Sequence, residues 1–183
     1  MYSKYATELS SVLHKMDKEP FNLAINMIIN SLKNEVPIHI FGNGGSSATA
    51  SHFVVDWKKS VGKILGVSAP VYCLTDNTPL LTAFANDISF ERIFAEMLMI
   101  SAKPGDIALA ITGSGNSQNI ISGINIAQGL GCTTIALTGF DGGIVGKMAS
   151  LNCNVPSNKI QIVEDIHSSF GHAVVNSLLQ KER

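Results

Sequence analysis

The sequence has little charge and no strong bias toward either sign. Only 15% of its 183 residues are charged, and 13 basic residues nearly balance 14 acidic ones, so the formal net charge is −1. This balance creates no basic field that would draw the protein to nucleic acid or to a membrane surface, and we expect neither partner. A local cluster of Lys58, Lys59 and Lys63 is explained equally well by a solvated helix end. The low charge, beside 45% hydrophobic residues, is typical of a globular α/β protein with extensive burial.

Cysteine pairs, long apolar runs and a secretory leader are also missing. Cys73, Cys132 and Cys153 are scattered in apolar contexts without a CxxC pair, which is typical of buried free thiols in a reducing compartment. The N-terminal residues carry early charges and no long apolar core, so they are not a secretory signal. No apolar run approaches the roughly 20 residues that a membrane helix needs. The sequence therefore predicts a cytoplasmic protein, and without linkers or repeats it predicts a single domain, 1–183.

Apolar patterns that alternate between strand and helix run along most of the chain. This alternation predicts an α/β fold, a parallel sheet with helices on both faces. Ligands bind such sheets at the carboxyl ends of the strands. The predicted strands are 38–41, 71–74, 107–111, 133–137 and 151–155, and the predicted helices between and after them are 46–60, 80–85, 90–100, 118–128, 144–148 and 161–179.

Two helices are predicted before the first strand, within residues 1–34. The second is apolar on more than one face, and a helix of that kind is usually buried. Another subunit can cover any apolar surface of this helix that its own domain leaves exposed. The helical pair therefore favours homo-oligomerisation.

The first predicted strand ends in a glycine-rich turn, residues 42–47, with the sequence Gly-Asn-Gly-Gly-Ser-Ser. Glycines let the backbone approach a ligand closely. The helix that follows offers unpaired N–H groups and a positive dipole end. The turn therefore indicates an anion site, most often for phosphate. A turn that only tightens strand-to-helix packing is the alternative, because the segment is neither a P-loop nor a GxGxxG motif.

A second loop, residues 112–117, follows the third predicted strand with the sequence Thr-Gly-Ser-Gly-Asn-Ser. Thr112, Ser114 and Ser117 place hydroxyl groups beside free backbone N–H groups at a helix start, which suits a phosphate without adding net charge. Ser117 is also a plausible ordinary N-cap, and both roles are compatible. Two such loops at the ends of parallel strands favour a phosphosugar site more than either loop alone.

Two helices carry groups that suit metal binding or proton transfer. His52 and Asp56 stand four residues apart, so they share a helix face. The last helix carries two acids and two histidines among apolar neighbours, which favours a site over purely structural histidines. By helix geometry, Asp165 and His172 share a face, whereas Glu164 and His172 are turned roughly 80° from each other. The four residues of the last helix are Glu164, Asp165, His167 and His172.

Four segments together resemble the SIS (sugar isomerase) domain family, and more narrowly its phosphoheptose isomerase branch. They are FGNGGSSATASHF at 41–53, Asn-Asp at 86–87, GSGNS at 113–117 and VEDIHSSFGH at 163–172. The resemblance covers nearly the whole chain. It implies a three-layer α/β/α sandwich with a five-stranded parallel sheet, and a homotetramer with active sites at subunit interfaces. The implied reaction interconverts sedoheptulose 7-phosphate and D-glycero-D-manno-heptose 7-phosphate.

The resemblance also implies roles for individual residues. One zinc ion per subunit would be held by His52, Asp56, Glu164 and His172, of which Asp56 and His172 form the acid/base pair. Asp87 matches an active-site aspartate, although an aspartate after Asn86 is often only a cap. The resemblance assigns substrate and phosphate binding to Asn43, Gly44, Ser46, Asp87, Thr112, Gly113, Ser114 and Ser117.

This sequence departs from the branch at three positions. Asp56 replaces a glutamate and is one methylene shorter, Glu164 replaces a glutamine and adds a charge, and Ser60 replaces a common arginine. A metal site with two imidazoles and two carboxylates still suits zinc, and it favours harder ions more than the family's set with one carboxylate does. The alternatives are a non-catalytic SIS protein that binds a phosphosugar or a partner, and an isomerase for a different sugar phosphate. The paired histidines and acids argue against a pure binder.

Overall fold

A parallel sheet lies between two layers of helices in the computed structural model, which describes residues 1–181. Within that range there are five strands: β1 (Ile38–Gly42), β2 (Val71–Cys73), β3 (Ile107–Thr112), β4 (Thr133–Gly139) and β5 (Leu151–Val155). The α-helices in that range are α1 (Tyr2–Lys15), α2 (Glu19–Lys33), α3 (Gly45–Ile64), α4 (Thr78–Asp87), α5 (Ile93–Ser101), α6 (Gln118–Gly129), α7 (Gly143–Met148) and α8 (Ile160–Lys181). The predicted three-layer α/β/α fold is confirmed.

The strand order β2-β1-β3-β4-β5 places the topological switch between β1 and β3. The chain passes from β1 to β2 on one side and then returns to β3 on the other side of β1. These two central strands run in register from Ile38 opposite Ile107 to Gly42 opposite Ile111. Their carboxyl ends therefore lie side by side, and each continues into one of the two predicted phosphate loops. A crevice at such a switch point is where open parallel sheets bind ligands.

Alternate residues of β1 enter two separate hydrophobic clusters. Ile38 and Ile40 pack with side chains of α2, α3 and α8, whereas Phe41 packs with α5 and α6 on the opposite face. Successive side chains of a strand point to opposite faces, so both clusters need the sheet between them. Every residue of β3 is buried, as its continuous apolar run predicted. The α3–α8 layer is the one that carries the histidines.

Three local predictions were wrong at element ends. The predicted helix 46–60 stops short of Gly62, but α3 continues through that glycine to Ile64. An interior glycine costs only about 1 kcal/mol, which the packing of a long helix outweighs. Leu74 was assigned to a strand but begins a 3₁₀ turn, Leu74–Asp76. Asn86 and Asp87 were expected to interrupt a helix, and they instead form the last turn of α4.

The two leading helices differ in how their own protomer covers them. Helix α2 packs on α8 and β5 and buries six residues. Helix α1 has no fully buried residue. Its Tyr5 hydroxyl donates to Asp165 Oδ2 of α8 at 2.7 Å, and its Glu8 pairs with Lys159, the residue just before α8. The apolar residues Leu9, Val12 and Leu13 of α1 are partly buried against the core of their own protomer. On α2, Leu23 stays 49% exposed and leaves apolar surface for another subunit.

The cysteines are buried and unpaired, as predicted. Burial raises the pKa of the Cys153 thiol to about 12, which keeps that side chain protonated and unreactive. Among the helices described, none combines the length and apolar content needed to cross a bilayer.

Candidate active site

The two loops open onto one cavity of about 320 Å³ at the switch point. Glu164, from helix α8, also lines it, as do the apolar side chains of Phe140 and Ile160. The volume falls at the lower end of the range of small-molecule pockets, about 300–1,000 Å³. Predicted substrate-binding residues that line the cavity are Asn43, Ser46, Thr112, Gly113, Ser114 and Ser117.

A pair of amide side chains joins the two loops. Asn43 Nδ2 donates to Asn119 Oδ1 and Asn119 Nδ2 donates back to Asn43 Oδ1, both at 2.9 Å. Asn119 lies in the first turn of α6 and is only 2% exposed, so the pair is shielded from competing water. The sequence reasoning missed Asn119. The sequence signal for it was an amide two residues after the Ser117 cap position, in the first turn of a largely apolar helix.

The hydroxyl groups of the β3 loop remain able to donate to a ligand. Thr112 Oγ1 accepts from Gly115 N at 3.3 Å, and Ser114 Oγ accepts from Asn116 N at 3.2 Å. A hydroxyl whose oxygen accepts a backbone bond still has its own hydrogen for a ligand. Ser117 occupies the N-cap position of α6, but its side chain makes no capping hydrogen bond in the described structure. Three hydroxyl donors therefore converge at this helix N-terminus, an arrangement suited to an oxyanion.

His52, Asp56 and His172 form a cluster with one donor atom each, and these atoms lie within 4.8 Å of one another. Asp56 Oδ2 is 3.3 Å from His52 Nε2 and 3.6 Å from His172 Nε2. The two imidazole rings are 5.2 Å apart, centroid to centroid. Bonds of about 2.0–2.1 Å at tetrahedral angles separate neighbouring donors by about 3.3 Å, so the two distances from Asp56 suit a shared zinc ion. All three side chains are partly exposed, which leaves room for a further ligand.

Close packing of α3 against α8 brings this cluster together. Gly171 lies against Phe53: a Cβ built on the glycine would come within 2.2 Å of the phenylalanine ring. The Trp57 indole donates to the Gly171 carbonyl at 3.1 Å and stacks on Phe53 at 5.1 Å. On α3, His52 directly precedes Phe53 and Asp56 directly precedes Trp57. On α8, His172 directly follows the glycine. The missing side chain at position 171 therefore sets the separation of the metal-binding groups.

Two predicted site residues lie apart from that cluster. Glu164 does not belong to the described group of three donors; its carboxylate lies against Gly45, where a built Cβ would be 2.7 Å from Oε1. Asp87 is exposed at the end of α4 and accepts a hydrogen bond from Asn86 Nδ2 at 2.8 Å. Asp87 is not among the residues that line the loop cavity of its own protomer.

The other two candidate residues of α8, His167 and Asp165, make structural contacts. His167 is 1% exposed and its Nε2 lies 3.1 Å from the Thr138 carbonyl oxygen, which can only accept, so Nε2 carries the proton. Burial lowers the pKa of His167 to about 4, and the bond to Thr138 opposes this shift only in part. Asp165 faces α1 through Tyr5, so sharing a helix face with His172 did not bring it into the cluster.

A larger cavity of about 490 Å³ lies elsewhere, against β2, α4 and α5. His39 and Asp106 line it and pair with each other, His39 Nε2 to Asp106 Oδ2, at 3.0 Å. Both side chains are buried and their contact joins β1 to the start of β3. We assign the chemistry to the smaller cavity because hydroxyl donors and helix N-termini line it at the carboxyl ends of the strands. The helices that carry the metal-type cluster, α3 and α8, also contribute Ser46 and Glu164 to it.

Comparisons with known proteins agree with this site. Residues 1–139 match the SIS domain family model. The chain is 36% identical to the phosphoheptose isomerase of Aliarcobacter butzleri over 166 residues, covering 91% of this chain and 87% of that one. It is 40% identical to the phosphoheptose isomerase of Aquifex aeolicus over 150 residues, covering 81% and 77%. The solved structure of the phosphoheptose isomerase GmhA of Neisseria gonorrhoeae superposes with a TM-score of 0.86 at 29% identity, covering 98% and 97% of the two chains. The chain therefore belongs to the SIS domain family and, within it, to the sugar-phosphate isomerases of the phosphoheptose isomerase group.

Proposed function

We propose that this protein interconverts sedoheptulose 7-phosphate and D-glycero-D-manno-heptose 7-phosphate. The observation that carries the proposal is that helices α3 and α8 contribute residues both to an anion-type cavity and to a His–Asp–His cluster, in a chain whose relatives are named phosphoheptose isomerases. A sugar phosphate needs both: one group to hold the phosphate and one to act at the carbonyl end.

The phosphate is bound by the loops. Ser114 and Ser117 donate through their hydroxyl groups, Ser46 lines the same cavity from the β1 loop, and the Asn43–Asn119 pair keeps the loops at a fixed distance. Anchoring the phosphate positions the far end of a seven-carbon chain and lowers the entropy lost in reaching the reactive geometry.

Proton transfer is the task of Asp56 and His172. One of them removes the proton from the hydroxyl-bearing carbon beside the carbonyl. The electron pair of that C–H bond forms the enediol double bond, while the carbonyl π electrons move to the carbonyl oxygen, which takes a proton. The other group then returns a proton to the former carbonyl carbon, as the hydroxyl group on the first carbon loses its proton and becomes the new carbonyl. Their contact of 3.6 Å, in a partly exposed setting, allows both to reach the same two carbons. His52, Asp56 and His172 would hold a zinc ion, which when bound polarises the carbonyl oxygen.

The active enzyme is a homotetramer in the cytoplasm. Exposed apolar side chains such as Leu23 on α2, Ile88 and Phe90 offer surfaces for neighbouring subunits. Asp87 adjoins Ile88, is exposed and does not line the cavity of its own protomer, so it is available to the site of a neighbour. The buried, unpaired thiols suit a reducing compartment. Light scattering after size-exclusion chromatography tests the tetramer, and a monomer would contradict it.

The decisive assay incubates zinc-loaded protein with sedoheptulose 7-phosphate and follows the aldose product. We expect His172→Gln to lower turnover by at least about 100-fold, because the substitution removes a proton-transfer group, while phosphate binding stays largely unchanged. His14→Gln, an exposed histidine on α1, is the matched control and should keep full turnover. Unchanged turnover in His172→Gln would contradict the mechanism. Wild-type protein that binds the sugar phosphate without turnover, and carries no metal as purified, would identify a non-catalytic binder.

A further inference from the structure

Phe140 lines the loop cavity with an aromatic ring and has an uncommon backbone conformation. Its φ is 52°, in the left-handed region that bulky side chains rarely adopt. Two hydrogen bonds hold this conformation: Phe140 N donates to the Ser157 carbonyl at 3.1 Å, and Asn154 Nδ2 donates to the Phe140 carbonyl at 3.4 Å. Residues held in such conformations cluster at ligand sites, so the position of this ring suggests a function.

The Phe140 ring is fixed relative to the β3 loop and is not part of the core. Backbone bonds join the β3 loop to the segment that carries Phe140: Gly139 N donates to the Gly113 carbonyl at 2.8 Å, and Val145 N donates to the Gly115 carbonyl at 2.9 Å. A Cβ built on Gly113 would lie 3.9 Å from Phe140 Cε2. The half-buried ring belongs to neither of the two hydrophobic clusters described for residues 1–181. Its apolar surface therefore faces a ligand of the β3 loop.

The loop cavity has an apolar side and a side with hydroxyl donors. Ile160 lies beside Phe140, and its Cδ1 occupies the space that a Cβ on Gly113 would need. Ser114 and Ser117 supply the donors. A phosphate ester has the same two-part character, because its carbon chain begins directly after the ester oxygen. With the phosphate at the hydroxyl donors, the first carbons of the chain can be buried on the apolar side, whereas inorganic phosphate has no carbon to bury there.

We propose that Phe140 is a specificity-determining residue that selects phosphate esters of carbon chains over inorganic phosphate. Its ring packs against the C–H groups of the chain next to the phosphate while the β3 loop holds the phosphate itself. The contact is apolar, so it strengthens binding whatever hydroxyl groups the chain carries farther along. The inference rests on the proposed sugar-phosphate site but concerns binding rather than turnover.

Isothermal titration calorimetry on the full-length protein tests this selection. The probes are inorganic phosphate and n-propyl phosphate, which has a carbon chain but no hydroxyl group, at a pH where both are dianions. Wild-type protein should bind propyl phosphate more tightly. In Phe140→Ala we expect this preference to fall roughly tenfold, as for about two buried methylene groups, while the affinity for inorganic phosphate stays unchanged. Phe140→Leu keeps a large apolar side chain and should recover part of the preference.

Ile144→Ala is the matched control, because it removes an apolar side chain at the start of α7 that is 49% exposed and does not line the cavity. A preference that is unchanged in Phe140→Ala, or equally reduced in Ile144→Ala, would overturn the proposal. Wild-type protein that binds inorganic phosphate as tightly as propyl phosphate would overturn it even if Phe140→Ala failed to fold.

The isomerase assay separates this proposal from the proposed function, because neither calorimetric probe can isomerise. A protein without turnover whose preference still depends on Phe140 refutes the function alone. An active enzyme without that dependence refutes the selection alone.

Discussion

Replacing Gly171 by alanine should push helices α3 and α8 apart. The new methyl group would lie 2.2 and 2.3 Å from two carbons of the Phe53 ring, whereas ordinary contacts lie at 3.4–4 Å. Phe53 is 2% exposed and stacked on Trp57, so its ring has little space to move away. Relief of the overlap therefore requires a helix shift of about 1 Å, the difference between those contact distances.

The expected loss of stability follows from two opposing terms. Overpacking a well-filled core costs about 1–3 kcal/mol. Alanine inside a helix is favoured over glycine by about 1 kcal/mol, which offsets part of that cost. We therefore expect the free energy of unfolding of Gly171→Ala, measured by urea denaturation, to fall by up to about 2 kcal/mol. A loss of about 2 kcal/mol corresponds to a Tm decrease of roughly 4–8 °C for a chain of this size.

Zinc affinity should fall in the same variant because the metal-binding groups lie on the two separated helices. Metal–ligand distances are tolerated only within about 0.2 Å, and displaced supporting contacts typically cost 10–100-fold in affinity. Competition with a chromophoric chelator measures this loss. Gly129→Ala is the control, since a Cβ built on Gly129, the last residue of α6, meets nothing within 4 Å. If Gly171→Ala matched wild type in both stability and zinc affinity, this account of the cluster would be refuted.

Two further predictions concern buried polar groups. Because the pKa of His167 is about 4 when folded and 6.5 when unfolded, the unfolded chain binds an extra proton between these values, so stability is lost as pH falls from 6.5 to 4. Urea unfolding at several pH values measures this effect. Between pH 6.5 and 4, the free energy of unfolding of His167→Gln should fall by about 3 kcal/mol less than that of wild type. An equal fall in both proteins would contradict the neutral, buried state of His167. Asn119→Leu should weaken inorganic phosphate binding roughly tenfold in calorimetry by leaving Asn43 unpaired; unchanged affinity would show that the pair does not hold the loops.

Much of the fold and part of the site were predictable because they depend on local pattern. The apolar run of β3 and the glycine-rich turn after β1 are continuous in sequence, so strand, loop and helix start follow from short-range preferences. Boundaries such as the end of α3 depend instead on tertiary packing, and there Gly62 misled the prediction. The roles implied for the individual site residues stay predictions.

The sequence alone determined the order of the elements and the chemistry of their ends: hydroxyl-rich loops after two strands, and histidines with acids on two helices. Only the tertiary structure decided which of those side chains meet. Rotation of α8 about its axis, set by Gly171 against Phe53, directs His172 to Asp56, Glu164 to the loop cavity and Asp165 to Tyr5. A one-residue change in that rotation turns each side chain by about 100°, and no local pattern encodes such an angle.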